Sequence, residues 1–413
     1  MARTRVLEVL EANVGGARKH VLDLLLGLDP ARFELHLACS LERDPAFGAE
    51  LDALRVRGIR VWPVRMLRRP APLSDLAALR ALTRLMCEQA YRIVHTHAAK
   101  AGFLGRLAAR RTGVPAIVHT PHTFPFERRD TSLAPLYRAL ERKAARWTDR
   151  LVLVAPSQRE VAERGRIGSP EQYVVVPNGI RLPAQEPGAT RRAFRYALDL
   201  REGEPAAAFV GRITPQKDVQ TFLRVAGEVL RDMPQARFFI AGGADNLRYV
   251  RGLRPHISRE ALDALTGCRP ATGAPAFWAQ GLPVQVLGHR ADAAELVAAF
   301  DAVLLPSLYE GLPYSLLEAM AQGVPVVASE VTGNRDAIEH GRSGFLVGVG
   351  DVGGFARHVL ELLGDAALRA RLGEAARRRV AAEFSQERFL RNMAELYEGL
   401  AASARQGCAQ AWH

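Results

Sequence analysis

Residues 304–347 read LLPSLYEGLPYSLLEAMAQGVPVVASEVTGNRDAIEHGRSGFLV, and the order of patterns within them decides the fold. An apolar run, AVLLPS, ends as a buried strand would, and YEGLP then makes a glycine-containing turn into a helical pattern that stops at Gly323. A further apolar run, VPVVAS, follows directly. Strand, turn, helix and strand in this order form the repeating unit of a parallel α/β sheet. Glu310 falls in the turn and Glu318 about one turn into the helix, so both carboxylates are expected to face one crevice beyond the carboxyl end of the strand. The backbone N–H groups of Gly311, Leu312 and Tyr314, at the helix start, suit an anion. Acids beside anion-binding amides suit a ligand that is both polyhydroxylated and phosphorylated.

The same alternation extends outward in both directions. Upstream, RVLEVLEA, FELHLACS, IRVWPV, RIVHTH, PAIVHT, DRLVLVA and YVVVP read as strands, separated by helical patterns such as LSDLAALRALTRLMCEQA. VVVPNGIRLPAQEPGAT then lacks periodicity, and a second alternating series begins with AAAFVGR. A chain of 413 residues exceeds the size at which one core keeps growing. The expected architecture is therefore two doubly wound parallel-sheet domains facing a central crevice, residues 1–176 and 191–383, joined by a linker at 177–190. Residues 384–413 read as an amphipathic helix long enough to return to the first domain, with a frayed AQAWH end. Residues 243–281 break the rhythm and read as a long loop or a small helical insertion.

Charged residues make up 24% of the chain and apolar residues 48%, which suits an ordered globular protein and excludes disorder. No stretch approaches the roughly 20 uninterrupted apolar residues of a membrane span. Four scattered cysteines without a C-x-x-C pair argue against a zinc site or disulfide framework and suit a cytoplasmic location. The net charge of +12 is concentrated: residues 1–190 carry 30 basic and 19 acidic side chains, and the remainder 26 and 25. An anionic membrane surface and an arginine-biased composition both account for this. No run of five like charges and no nucleic-acid motif is present, so no nucleic-acid partner is expected.

GRITPQKD follows the strand AAAFV and places Arg212 and Lys217 beyond its carboxyl end, where a guanidinium fork and an ammonium point charge can grip a diphosphate. Gly15 and Gly16 follow the first strand and open a helix, which lets backbone and substrate approach closely. His95, His97, His119 and His122 cluster at two strand ends. No acidic partner or tight helical spacing accompanies them, so no metal site is expected; His95 and His119 read as core residues and His122 as a hydrogen-bond donor in a loop. D-x-D, the P-loop sequence and any nucleophile elbow are absent from the sequence.

Taken together, GGARKHVLDLL, VHTHAAKAGFLGRLAAR, VVVPNGI, FVGRITPQKD and YEGLPYSLLEAMAQGVPVVAS resemble the retaining, nucleotide-sugar-dependent glycosyltransferases with two Rossmann-like domains, the GT-B type. The resemblance implies that Arg212 and Lys217 hold the donor diphosphate, with Gly16 closing over it. It implies that Glu310 meets the donor sugar's hydroxyls, Glu318 the ribose, and backbone near Gly288 and His289 the base. His122 matches the position beside the transferred sugar, and Asn178 and Gly179 the interdomain hinge. No cofactor is implied, because the nucleotide sugar is a co-substrate and the basic pair takes the place of a metal.

Gly-Asn-Arg-Asp in ASEVTGNRDAIEHGRSG, with HTPHTF, resembles the members that assemble exopolysaccharide and capsule. For such members the resemblance implies a UDP-sugar donor, a lipid-linked saccharide acceptor and attachment to the inner membrane face. RMLRRPAP, FPFERRD and LAPLYRALERKAARW are the candidate contact elements; the last also reads as an ordinary domain helix. A nucleotide-sugar epimerase and a non-catalytic nucleotide-sugar-binding partner are the alternative functions.

Overall fold

The computed structural model describes residues 3–44, 47–127, 132–184, 187–244, 249–250, 258, 261–262, 276–279 and 282–410. The chain divides into two compact units, residues 1–179 with 386–413, and residues 180–385.

In the first unit seven strands form one sheet: β1 (Thr4–Leu10), β2 (Phe33–Cys39), β3 (Arg60–Pro63), β4 (Ile93–His97), β5 (Ala116–Thr120), β6 (Arg150–Leu153) and β7 (Tyr173–Val175). Their spatial order is β3-β2-β1-β4-β5-β6-β7, and every adjacent pair is parallel. The order reverses between β1 and β4, the position at which open α/β sheets bind ligands. Among the described residues six α-helices connect the strands: α1 (Gly15–Gly27), α2 (Phe47–Val56), α3 (Pro72–Gln89), α4 (Ala99–Thr112), α5 (Ala134–Ala145) and α6 (Gln158–Gly165). Covered on both faces, β4 and β5 are buried along their whole length, including their histidines and threonines.

The second unit contains α7 (Pro187–Ala197), β8 (Ala206–Val210), α8 (Val219–Asp232), β9 (Arg237–Ala241), β10 (Ala276–Ala279), β11 (Leu282–Gly288) and α9 (Ala293–Leu296). It continues with β12 (Ala302–Leu305), α10 (Tyr314–Ala321), β13 (Val326–Ser329), α11 (Asn334–Ala337), β14 (Phe345–Val347), α12 (Val352–Gly364) and α13 (Ala366–Glu383). Its sheet runs β10-β11-β9-β8-β12-β13-β14, with the reversal between β8 and β12. Six strands are parallel, whereas β10 pairs antiparallel on the edge.

Two local readings change. A strand, β10, lies within the segment expected to be a loop or helical insertion; most of that segment, including Cys268, lies outside the described residues, as do 128–130 of FPFERRD and 411–413 of AQAWH. Residues 187–190, read as linker, begin α7. That helix is held by charge rather than by an apolar stripe: Arg191 donates to Asp301 at 2.7 Å and to the carbonyls of Ala298 and Phe300, and Arg195 to that of Ala299. Apolar periodicity has little to report there.

The last helix, α14 (Gln386–Gln410), belongs to the first unit. Phe389, Met393, Tyr397 and Leu400 recur at helical spacing on one face and are buried in that unit's core. Arg92 ties the helix down by donating to the Ala401 carbonyl at 2.8 Å.

Close backbone contact in the second unit depends on Gly373 of α13, where a Cβ would collide with the carbonyl oxygen of Gly323. Gly373→Ala is expected to lower the stability of the protein by about 1–3 kcal/mol through overpacking. Gly399, in α14, faces open space. Gly399→Ala is expected to raise stability by about 0.5–1 kcal/mol, because it removes a flexible residue from a helix interior. Urea denaturation of the two variants reads both signs.

Candidate functional site

The reversal point of the second sheet brings two loops into contact. After β8 the chain passes Gly211 and Arg212 and makes one tight turn at Pro215–Lys217, and Asp218 then caps α8 by accepting from the Thr221 N–H. After β12 it runs through Ser307 to Glu310 before α10. The Leu308 N–H donates to the Gln216 carbonyl at 2.8 Å, and the Gln216 side chain donates to the Tyr309 carbonyl at 3.0 Å and to Glu310 Oε2 at 3.3 Å. Lys217 Nζ lies 2.6 Å from Glu310 Oε1, both groups being largely buried. Behind this turn, Gly333 (φ 78°) sits against the Gly311 carbonyl, where any Cβ would collide. The Gly-Asn-Arg-Asp loop thereby fixes the backbone of Gly311 and Leu312.

Sequence reasoning placed Arg212 and Lys217 on one loop and Glu310 on another, and the structure brings Lys217 and Glu310 into direct contact. Each was assigned a separate ligand group; here they neutralise one another. Gly311, Leu312 and Tyr314 are buried around the start of α10, and Glu318 is half-buried on that helix. Gly288 closes β11, its carbonyl accepting from the Gly242 N–H at 2.8 Å, and His289 beyond it is exposed. Strand order puts β11 two places from β8, so these residues share the carboxyl edge of the sheet with Arg212.

In the first unit, Gly15 and Gly16 open α1, which carries His20 to within 4.8 Å, ring to ring, of His122. The absence of an acidic partner for the histidines is corrected: Glu8, on β1, lies 2.7 Å from His97 Nε2 and 3.5 Å from His95 Nδ1. The atoms of Glu8, His95 and His97 lie close enough together to ligate a metal. Both nitrogens of His95 are nevertheless engaged, Nδ1 with the Tyr397 hydroxyl at 2.6 Å and Nε2 with Thr120 Oγ1 at 2.7 Å. The cluster suits shared protons better than a cation. His95 is thus a satisfied core residue. For His119 the reading is half right: Nδ1 is bonded to Thr96 at 2.9 Å, whereas Nε2 has no hydrogen-bond partner and lies 3.8 Å from Glu141.

Burial pushes the Glu8 carboxyl up to about 8 against the pull of the Tyr397 hydrogen bond, and holds His20 and His97 down at about 3. His95, His119 and His122 are lowered well below the ordinary value for the same reason, helped by neighbouring histidines and, at His119, by Arg106. Acid and imidazole therefore face each other in neutral forms.

Residues 204–365 match the family described as Glycosyl transferases group 1, and residues 15–179 match the Glycosyl transferase 4-like domain. Over 390 residues, covering 91% of this chain and 77% of the relative, the sequence is 31% identical to the D-inositol 3-phosphate glycosyltransferase of Mycobacterium bovis. The chain belongs to the group 1 glycosyltransferases. A second relative of this glycosyltransferase, the UDP-Gal:alpha-D-GlcNAc-diphosphoundecaprenol alpha-1,3-galactosyltransferase of Escherichia coli, is 28% identical over 344 residues, 82% of each chain. Among solved structures, that of Anabaena HepE in complex with UDP and glucose superposes with a TM-score of 0.77 over 96% of this chain and 100% of its own, at 20% identity. That likeness confirms the two-Rossmann-domain fold.

The glycosyltransferase's histidine network includes residues that sequence reasoning passed over: Glu8, His20 and Tyr397. A signal for Glu8 existed, since an acid within the apolar run RVLEVL must find a partner if the strand is central. Tyr397, 389 positions away, had none.

These shifts set the pH dependence of folding. An unfolded chain protonates its histidines near the ordinary value of 6.5, but the native state excludes protons from His20 and His97 down to about 3. The unfolded state therefore binds more protons within that window, and stability falls as pH falls through it. Glu8 has the opposite sign: from 4.5 to about 8 the native state keeps a proton that the unfolded chain has released, so stability declines as pH rises. Urea midpoints are expected to drop steeply below pH 6.5, and Glu8→Gln is expected to remove the decline on the alkaline side up to pH 8.

Proposed function

We propose that this glycosyltransferase moves a hexose from a UDP-sugar to a lipid-linked saccharide, with retention at the anomeric carbon, in the assembly of a bacterial surface polysaccharide. The observation that carries the reading is the Lys217–Glu310 pair, clasped by Gln216 at the point where the second sheet reverses. A diphosphate can take the ammonium while the sugar hydroxyls take the carboxylate, so the donor replaces one buried ion pair by two charge-assisted contacts. Arg212 adds a second cation. The amides of Gly311, Leu312 and Tyr314 serve the phosphates, Glu318 the ribose, and Gly288 and His289 the base. Gly16 and His122 keep the roles that the family resemblance gives them, and Gly15 forms the turn with Gly16 that lets backbone and substrate approach.

In the reaction the bond from the anomeric carbon to the phosphate oxygen breaks and a bond to the acceptor hydroxyl oxygen forms on the same face. The acceptor proton passes to the leaving phosphate oxygen. Lys217 and Arg212 stabilise the charge that develops on that group, which is where such catalysis gains most, and no metal is required. The UDP of the HepE complex and the diphosphoundecaprenol in the name of the Escherichia coli relative support the choice of donor and acceptor. Arg43, Arg68 and Lys100, whose charges act on the buried Glu11 at the end of β1, suit an anionic acceptor.

Thermal-shift and turnover screens with UDP-, GDP- and ADP-sugars test the assignment. A UDP-sugar is expected to stabilise the protein most, and Lys217→Ala and Glu310→Ala are each expected to lower kcat/KM about a hundredfold or more. Unchanged donor binding and turnover in both variants would remove the site. Product formed from donor alone would indicate an epimerase, and binding without turnover across acceptors a regulatory partner.

Among the described residues no helix is long and apolar enough to cross a membrane. Attachment is instead assigned to α5 at the inner membrane face. Its inner face buries Glu141, Ala144 and Ala145, and Leu133 and Leu136 stay 37% and 49% exposed near the exposed Arg138 and Lys143. Vesicles containing anionic lipid are expected to retain the protein more strongly than neutral ones, and Leu136→Asp to reduce the difference. Equal partitioning would overturn the assignment.

A further inference from the structure

An uninterrupted hydrogen-bond chain crosses the first unit from α14 to His122. Thr120 Oγ1 lies 2.7 Å from His95 Nε2, and His95 Nδ1 lies 2.6 Å from the Tyr397 hydroxyl. Tyr397 donates to Glu8 Oε1 at 2.8 Å, Glu8 Oε2 lies 2.7 Å from His97 Nε2, and His97 Nδ1 lies 3.2 Å from His122 Nε2. Glu8, His95, His97 and Tyr397 have no solvent exposure, so each polar atom must be satisfied within the chain.

Proton counting gives the chain a direction. Tyr397 has a single proton and gives it to Glu8, so His95 must donate through Nδ1 and accept from Thr120 through Nε2. If Glu8 is the neutral acid, its proton goes to His97 Nε2. His97 then carries its own proton on Nδ1 and donates it to His122 Nε2, which leaves His122 with its proton on Nδ1. If Glu8 is an anion beside a neutral His97, every donor beyond it reverses and His122 Nδ1 becomes an acceptor. Burial holds Glu8 in the acid form at neutral pH.

The backbone at His122 is fixed as well. His122 has φ 60°, a sparsely populated conformation for a residue with a side chain, and Gln158 holds it there by donating to its carbonyl at 2.7 Å. His20, bonded through Nδ1 to Asn178 at 2.9 Å, packs against His122 with the two rings 4.8 Å apart and at 87° to one another. Strain of this kind persists only where the surroundings over-determine it.

We propose that Glu8 and Tyr397 are positioning residues that act through His97 to hold His122 as the Nδ1–H tautomer, so that its outer nitrogen donates to the sugar during transfer. This rests on the assignment of His122 to the sugar site. Neither Glu8 nor Tyr397 touches substrate in this scheme; their contribution is a fixed donor direction, which removes the need to reorganise as charge develops.

Glu8→Gln is the discriminating variant, because an amide reproduces a neutral acid: its nitrogen donates to His97 and its oxygen accepts from Tyr397. Histidine 15N spectra of the ligand-free protein, together with kcat and donor KM, provide the readouts. His122 is expected to show the Nδ1–H tautomer in the parent protein and in Glu8→Gln, with kcat in Glu8→Gln within about threefold of the parent, since no donor or acceptor is lost. Glu8→Leu is expected to give mixed tautomers and to lower kcat about tenfold or more with donor KM nearly constant, the rate equivalent of a hydrogen bond lost in the transition state. A loss in Glu8→Gln as large as in Glu8→Leu, or an Nε2–H tautomer at His122 in the parent, would overturn the proposal. Should Glu8→Leu fail to fold, the spectra and kcat of Glu8→Gln decide it alone. The spectra need no substrate, so a parent protein that transfers no sugar while showing the Nδ1–H tautomer would sink the functional assignment and leave the relay standing.

Discussion

A strand with neighbours on both sides and helices on both faces offers a carboxyl group no water, and Glu8 lies in the middle of one. Its two oxygens must be satisfied from within the protein. Tyr397 reaches one from α14 and His97 the other from β4, so three segments remote in sequence converge on one side chain. His95, Thr120 and His122 follow from that first requirement, because each new polar group brought in needs a partner of its own. The order of the buried strands β1, β4 and β5 and the seating of α14 are all consistent with this single unhydrated acid.

The second unit meets the same constraint differently. Its central strands β8 and β12 are apolar and buried throughout, with Asp301, Arg191 and Arg195 paired at their amino ends and Lys217 and Glu310 in the loops beyond their carboxyl ends. There Lys217 and Glu310 neutralise each other, with Gln216 bridging the loops. One unit buries a polar network within its sheet, and the other places this ion pair in the loops at the sheet's rim.

How far the sequence could be read follows from what periodicity measures. Continuous apolar runs located β8, β9, β12 and β13, because parallel strands buried on both faces must be apolar. The turn chemistry of YEGLP and GRITPQKD put Glu310 and Lys217 at strand ends for the same reason. Helix α7 escaped because Arg191 and Arg195, not apolar residues, bind it to the unit through Asp301 and neighbouring carbonyls. β10 escaped because it is a short antiparallel edge in a segment rich in glycine and proline. The contact between Lys217 and Glu310 spans 93 positions and that between Tyr397 and Glu8 spans 389, distances over which no local pattern carries information.

Helix α14 has a consequence for how the molecule comes into being. Phe389, Met393 and Tyr397 are part of the core of the unit that begins at the N-terminus, yet they follow the whole of the other unit in the chain. On the ribosome the sheet of residues 4–175 emerges before α14 and must wait, with the Glu8 carboxyl lacking its phenol and the apolar residues that α14 covers left open, until α14 is made. The unit formed by residues 180–385 has all its parts as soon as it emerges. The half of the protein that is translated first is therefore the half that is completed last, and its open groove is the surface a nascent-chain chaperone would have to shield.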